Sequence, residues 1–163
     1  MPDSAGAWHG LAICYEETGQ KEKSLEMYRK ALQLYLKDAD TEAGRGRKSL
    51  LWGGWCAMKL NMDQIALEMM KKAVEEDPNY AYAHLSLAIA SARNGDKDQA
   101  RISKKRYLEL VEQEPYEKRE CEGLEMLNKA KQYASEWLKS FIISVMDRYR
   151  RDMEICLNSG QKQ

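Results

Sequence analysis

The stretch AWHGLAICYEETG, residues 7–19, sets its apolar and small residues at helical intervals. Trp8, Leu11, Ala12 and Tyr15 stand at i, i+3, i+4 and i+7, and so share one face of a helix. Gly19 follows, where a helix ends most cheaply because glycine enters the left-handed region without strain. A second helical stripe runs through Leu25, Tyr28, Ala31, Leu32 and Tyr35. The stretch therefore predicts a helix, a short turn and a second helix. Its small residues have a physical role, because two antiparallel helices approach closely only where side chains are short. Ala12 facing Ser24 and Ala31 is the expected seam.

The same map returns twice. When Gly19 is placed over Asn61 and Gly95, the offsets are 42 and 34 residues. Those offsets carry Leu11 onto Gly53 and Leu87, Ala12 onto Gly54 and Ala88, and Tyr15 onto Ala57 and Ser91. They carry Ser24 onto Ala66 and Ala100, and Ala31 onto Ala73 and Tyr107. Three units share one internal plan, the signature of a repeat architecture.

These residues resemble the tetratricopeptide repeat family, whose unit is a helix–turn–helix of 34 residues. The first unit matches that pattern at Trp8, Leu11, Ala12, Tyr15, Gly19, Ser24, Tyr28 and Ala31. The second keeps Gly54, Ala66, Ala73 and Pro78, and the third keeps Leu87, Ala88, Gly95 and Ala100. The third then departs, with Lys104 and Tyr107 where the family has an aromatic residue and an Ala, so the last interface is expected to be looser or repacked. The resemblance implies an all-α solenoid of three units at about 5–38, 47–80 and 81–114, within residues 1–115. The additional eight residues between units one and two form an enlarged turn at 39–46. In GRGRKS, Ser49 has the basic surroundings of a kinase target, but its plainer reading is a helix N-cap.

The resemblance also implies a right-handed superhelix with ligands in a concave groove lined by the first helix of each unit. The lining positions are His9, Gly10, Ile13 and Glu17, then Lys48, Leu51, Trp52, Trp55 and Lys59, then Tyr82, Leu85, Ser86, Ile89 and Arg93. One subgroup of the family grips acidic chaperone tails through a clamp of Lys, Asn and Arg. Here those positions hold His9, Ile13, Trp52, Tyr82 and Ser86, so that ligand class is rejected. What remains is an apolar groove at Ile13, Leu51, Trp52, Trp55, Tyr82, Leu85 and Ile89. It suits an amphipathic helix or apolar peptide with aromatic anchors, or it is covered by the chain itself. Gly53 and Gly54 each weaken a helix by roughly 1 kcal/mol relative to Ala, which suggests close contact with a neighbouring helix.

From Pro115 the repeat register stops, and residues 116–158 read as a helical extension, with 159–163 as a disordered tail. A straight helix over residues 117–157 would extend about 60 Å, longer than a capping helix requires. Leu127, Ala130, Ala134, Trp137, Leu138, Phe141, Val145, Arg148 or Tyr149, and Cys156 trace one helical stripe, and the part beyond Trp137 must be buried against the groove, a second copy or another protein. Trp137, Phe141, Val145 and Tyr149 are the interface candidates. A bend near Gly123 or at residues 133–137 would let the extension fold back.

Composition bounds the rest. Lys and Arg number 26 and Asp and Glu 26, which offers no global attraction to nucleic acid or membrane. Three prolines favour helix, and a single Phe stands against nine Tyr and four Trp. No apolar run approaches the roughly 20 residues of a membrane span, and the start MPDSAGAW has no secretory signal pattern. Cys14, Cys56, Cys121 and Cys156 form no CxxC pair, which fits reduced thiols in the cytosol or nucleus. Cys14 and Cys56 occupy one repeat position and read as packing residues. The two histidines, His9 and His84, lack ligand partners at metal spacing. No nucleophile, phosphate-loop or dinucleotide motif occurs. The expectation is a protein-binding scaffold or adaptor, without catalytic, cofactor or metal residues, partnered by a protein helix or peptide or by a second copy as a homodimer. The alternative is a structural oligomerisation module whose groove is filled by its own or a sister helix. The first unit begins near residue 5 without a cap, which suggests part of a longer solenoid.

Overall fold

The structure is a computed structural model that describes residues 4–39, 41, 47–113, 127, 128, 131, 132, 136 and 138–147. Along residues 5–113 run six helices: α1 (Ala5–Glu17), α2 (Lys21–Ala39), α3 (Arg47–Lys59), α4 (Asp63–Glu76), α5 (Ala81–Arg93) and α6 (Lys97–Gln113). They pair as α1 with α2, α3 with α4 and α5 with α6, and each pair stacks on the next through α2 against α3 and α4 against α5. The result is an all-α helical-repeat solenoid. The described residues from 127 to 147 are helical as well.

The turns follow the repeat register. Gly19 (φ 74°), Asn61 (φ 57°) and Gly95 (φ 81°) are the residues with positive φ among those described. At each turn the next residue's N–H reaches back five positions: Gln20 to Tyr15 O at 2.8 Å, Met62 to Ala57 O at 2.9 Å and Asp96 to Ser91 O at 2.9 Å. Those acceptors hold one repeat position, and the bond satisfies carbonyls that a helix end leaves open. At the opposite end of α1, Ser4 Oγ accepts from the Ala7 N–H at 3.3 Å. Helix α3 starts at Arg47, so Ser49 lies inside its first turn and is not the N-cap that spacing suggested.

The small-residue seam is also in place. Ala12, Ser24 and Ala31 are buried, and Ser24 donates to the Ala12 carbonyl at 2.9 Å. Ala66, Ala73, Ala88 and Ala100 are buried at the corresponding places. Gly53 and Gly54 of α3 make room chiefly for methionines of α4. A methyl group on Gly54 would stand 2.5 Å from Met70 Cε, and one on Gly53 would meet Met69 Cε and stand 3.0 Å from Tyr35 Cβ.

One further expectation changes, and one open alternative is decided. Cys56 is buried but Cys14 is exposed. Helix α3 lies on α2, which covers its Cys56 side, whereas α1 has no preceding helix among the described residues, so the packing reading fails for Cys14. The last unit is repacked, not loose. Tyr107, where an Ala would stand, is buried with its ring 5.9 Å from Tyr82 and 6.3 Å from Phe141. Lys104 Nζ lies 4.4 Å from the Phe141 ring centre. Leu127, Leu138, Ile142, Val145 and Met146 join the same hydrophobic core as the repeats.

The enlarged turn (apart from Ala39 and Thr41), Gly123, most of residues 133–137 including Trp137, Tyr149 and the 159–163 tail lie outside the described residues.

Candidate functional site

The first helices of units one and two border a cleft of about 370 Å³. Helix α1 contributes His9, Ile13, Glu16 and Glu17, which lie on one side at steps of three or four. Helix α3 contributes Trp52, Trp55 and Lys59 with the same spacing, α2 contributes Tyr28, and Gln132 comes from the C-terminal helical residues. Residues expected from the sequence therefore meet here: His9, Ile13 and Glu17 face Trp52, Trp55 and Lys59 across one opening.

Aromatic rings form the floor. His9 is buried, with ring centres 5.7 Å from Tyr28, 6.2 Å from Tyr35 and 5.4 Å from Trp52. It is held among rings. Trp55 is buried, while Trp52 and Ile13 are half-buried at the rim. The rim is polar. Lys59 Nζ lies 2.5 Å from Glu16 Oε1, and the Tyr28 hydroxyl donates to Glu16 Oε2 at 2.8 Å. One carboxylate thus accepts from two helices. Glu16 and Tyr28 were not among the groove candidates. The signal that could have found them is their position one helical turn from Ile13 and from Ser24.

The remaining candidates lie deeper. Leu51, Tyr82, Leu85, Ser86 and Ile89 are buried, and the Ser86 hydroxyl donates to Tyr82 O at 2.7 Å. Every residue from Ala81 to Ser91 is buried, so no face of α5 is open along that length. Arg93 sits at the repeat position of Lys59 and donates through Nε to Asp63 Oδ1 at 2.6 Å. Gly10 and Lys48 are exposed. On the C-terminal helix Val145 is buried and Phe141 half-buried against Tyr107. Ile142, which was not among the candidates, is buried more deeply than Phe141. Buried Cys56 has its thiol pushed up to about 12 by desolvation, which keeps it protonated and inert.

Models of the tetratricopeptide repeat match residues 5–38, 48–80 and 69–102. The chain belongs to the tetratricopeptide repeat family. Among solved structures, the crystal structure of MamA is similar at 15% identity over 96% of this chain and 82% of that one, with a TM-score of 0.48. A search of curated sequences finds no relative. As a tetratricopeptide protein the chain has the role of a protein-interaction scaffold. Among the described residues no group of three or more His, Cys, Asp or Glu is placed to hold a metal ion. No helix formed by them is long and apolar enough to cross a membrane.

Proposed function

We propose that this tetratricopeptide chain is an adaptor with a divided concave face. Its own C-terminal helix covers the α3–α5 end, and a protein partner docks at the α1–α3 end, over Ile13, Trp52 and Trp55. The observation that carries this reading is the enclosure of α5. Helices α4 and α6 flank it, yet all residues from Ala81 to Ser91 are buried. The described helical residues between 127 and 147 supply a further cover, with Leu127, Leu138, Ile142, Val145 and Met146 in the core and Phe141 over Tyr107. Gln132, from the same segment, lines the α1–α3 cleft and so borders the open end.

Energetics favour the division. Each large aliphatic side chain buried by the C-terminal helix contributes about 1.5–3 kcal/mol. A partner entering the α3–α5 end would have to recover that sum before gaining anything. At the α1–α3 end it displaces only water, and the half-buried Trp52 beside Ile13 offers an aromatic anchor of the kind protein interfaces use most.

Two full-length variants test the cover. Ile142 is fully buried and Ile143 is 43% exposed on the neighbouring face. Ile142→Glu is expected to release the helix and raise acrylamide quenching of tryptophan fluorescence, whereas Ile143→Glu leaves it unchanged. Equal quenching in both variants sinks the cover. Light scattering at two concentrations adds the oligomeric reading: a mass that doubles on concentration assigns the covering helix to a sister chain.

A further inference from the structure

We infer that the α1–α3 cleft receives a cationic side chain, lysine or arginine, from a peptide segment of the partner. This rests on the reading of that cleft as the partner's end of the concave face.

The charges at the mouth decide the sign. Lys59, the one cation among the described lining residues, is engaged: its ammonium lies 2.5 Å from Glu16 and its side chain is only 17% exposed. The second oxygen of Glu16 is occupied by the Tyr28 hydroxyl. Glu17 remains, exposed on the lining and without an ion pair among the described residues. Glu17 and Lys59 are also the last residues of α1 and α3. The mouth therefore gathers the carbonyl ends of two helices, and both carry partial negative charge. An anionic group entering here meets Glu17 and both helix ends. A cationic group meets a free carboxylate.

The floor suits the same ligand. Trp52, half-buried at the rim beside the buried rings of His9, Tyr28 and Trp55, presents aromatic surface, which attracts cations and also accepts the aliphatic stem of a long basic side chain. A volume of about 370 Å³ holds one such side chain and its solvating water. A purely apolar side chain would fill the floor but leave Glu17 unused.

The test uses isotope-labelled full-length protein and follows the indole N–H resonances of Trp52 and Trp55. The probes are n-butylguanidinium, n-butylammonium, butyrate and 1-butanol, which share a stem and differ in head group. Saturable shifts are expected with the two cations, at least about tenfold tighter than with butyrate or butanol. Glu17→Gln should remove most of that preference while the circular dichroism of the chain stays the same. Butanol or butyrate binding as tightly as the cations overturns the inference and leaves the cleft as an apolar docking end. Absence of any indole shift with all four probes overturns both the inference and the reading of the cleft as open. An undiminished cation preference in Glu17→Gln overturns the role of its carboxylate.

Discussion

Lys59 and Glu16 form an ion pair at 2.5 Å that ties the third helix to the first, across the boundary between units one and two. The next boundary is tied from the same repeat position: Arg93, 34 residues on, reaches back to Asp63 at 2.6 Å. In both cases the last turn of a unit's first helix supplies the cation, where the helix end favours positive charge. The partner differs, a helix-end glutamate in one and the first residue of α4 in the other.

Arg93 also donates to the Met58 carbonyl at 3.4 Å, and Asn94 donates to the Asp63 carbonyl at 2.9 Å. Both charges are partly exposed, so solvent screens the pair. Arg93→Ala is expected to cost about 1 kcal/mol, falling as salt is raised. Arg93→Lys should recover only part of it, because lysine lacks the fork that serves two acceptors. Urea midpoints at low and high salt check this.

The two glycines of α3 separate helix propensity from space. Alanine in a helix interior gains roughly 1 kcal/mol over glycine. At Gly54 the obstacle is the flexible end of Met70, so Gly54→Ala should be near neutral. At Gly53 a methyl also stands 3.0 Å from Tyr35 Cβ, an atom fixed to the backbone of α2. Overpacking there costs about 1–3 kcal/mol, and Gly53→Ala should destabilise. Equal midpoints for the two variants in urea would contradict this.

Asn61 is the non-glycine residue held at positive φ among those described. Asn61→Gly is expected to stabilise the protein by up to about 1 kcal/mol, because glycine meets no Cβ penalty in that region. Thermal melting shows it as a rise in Tm of a few degrees. No rise would mean that the asparagine side chain offsets its own strain.

Burial raises the Cys56 thiol from 9.0 to about 12, and desolvation, with the Cys56 and Asp38 charges behind it, raises the Tyr35 phenol above its ordinary 10.0. The folded chain holds both protons more tightly than the unfolded chain. The stability this confers is therefore full below about pH 9 and drains away as pH rises through 12, at about 1.4 kcal/mol per pH unit for each group once it ionises only in the unfolded state. Urea midpoints should fall between about pH 9 and 11. Cys56→Ala should show a shallower fall.

Much of this fold was legible from spacing. The offsets of 42 and 34 align the three residues with positive φ and the three carbonyls that receive the turn bonds. Backbone geometry at a tight turn admits few residue types, so it leaves a strong mark. The seam of short side chains was legible for the same reason. The site was less so. Ile13, Trp52 and Trp55 came from the repeat map, but their joining with Glu16 and Tyr28 depends on how two units stack, which no single unit's pattern contains. Cys14 and Cys56 share a repeat position and differ in exposure because, among the described residues, only one has a helix before it. Tyr107 looked like a defect in the repeat, yet its ring meets Phe141, a residue 34 positions away and outside the repeat register.

The enclosure of α5 has a consequence for how the molecule comes apart. A bare array of helix pairs is held only by nearest neighbours, and it frays one unit at a time from its ends. Here described helical residues between 127 and 147 join the core of the repeats, with Phe141 against Tyr107 of the third unit, so that unit is not a bare end. Hydrogen exchange should then be slowest along Leu85–Ala88 and should report a single cooperative opening. The third unit should therefore open together with the helical residues that cover it, while the uncovered first unit frays before them.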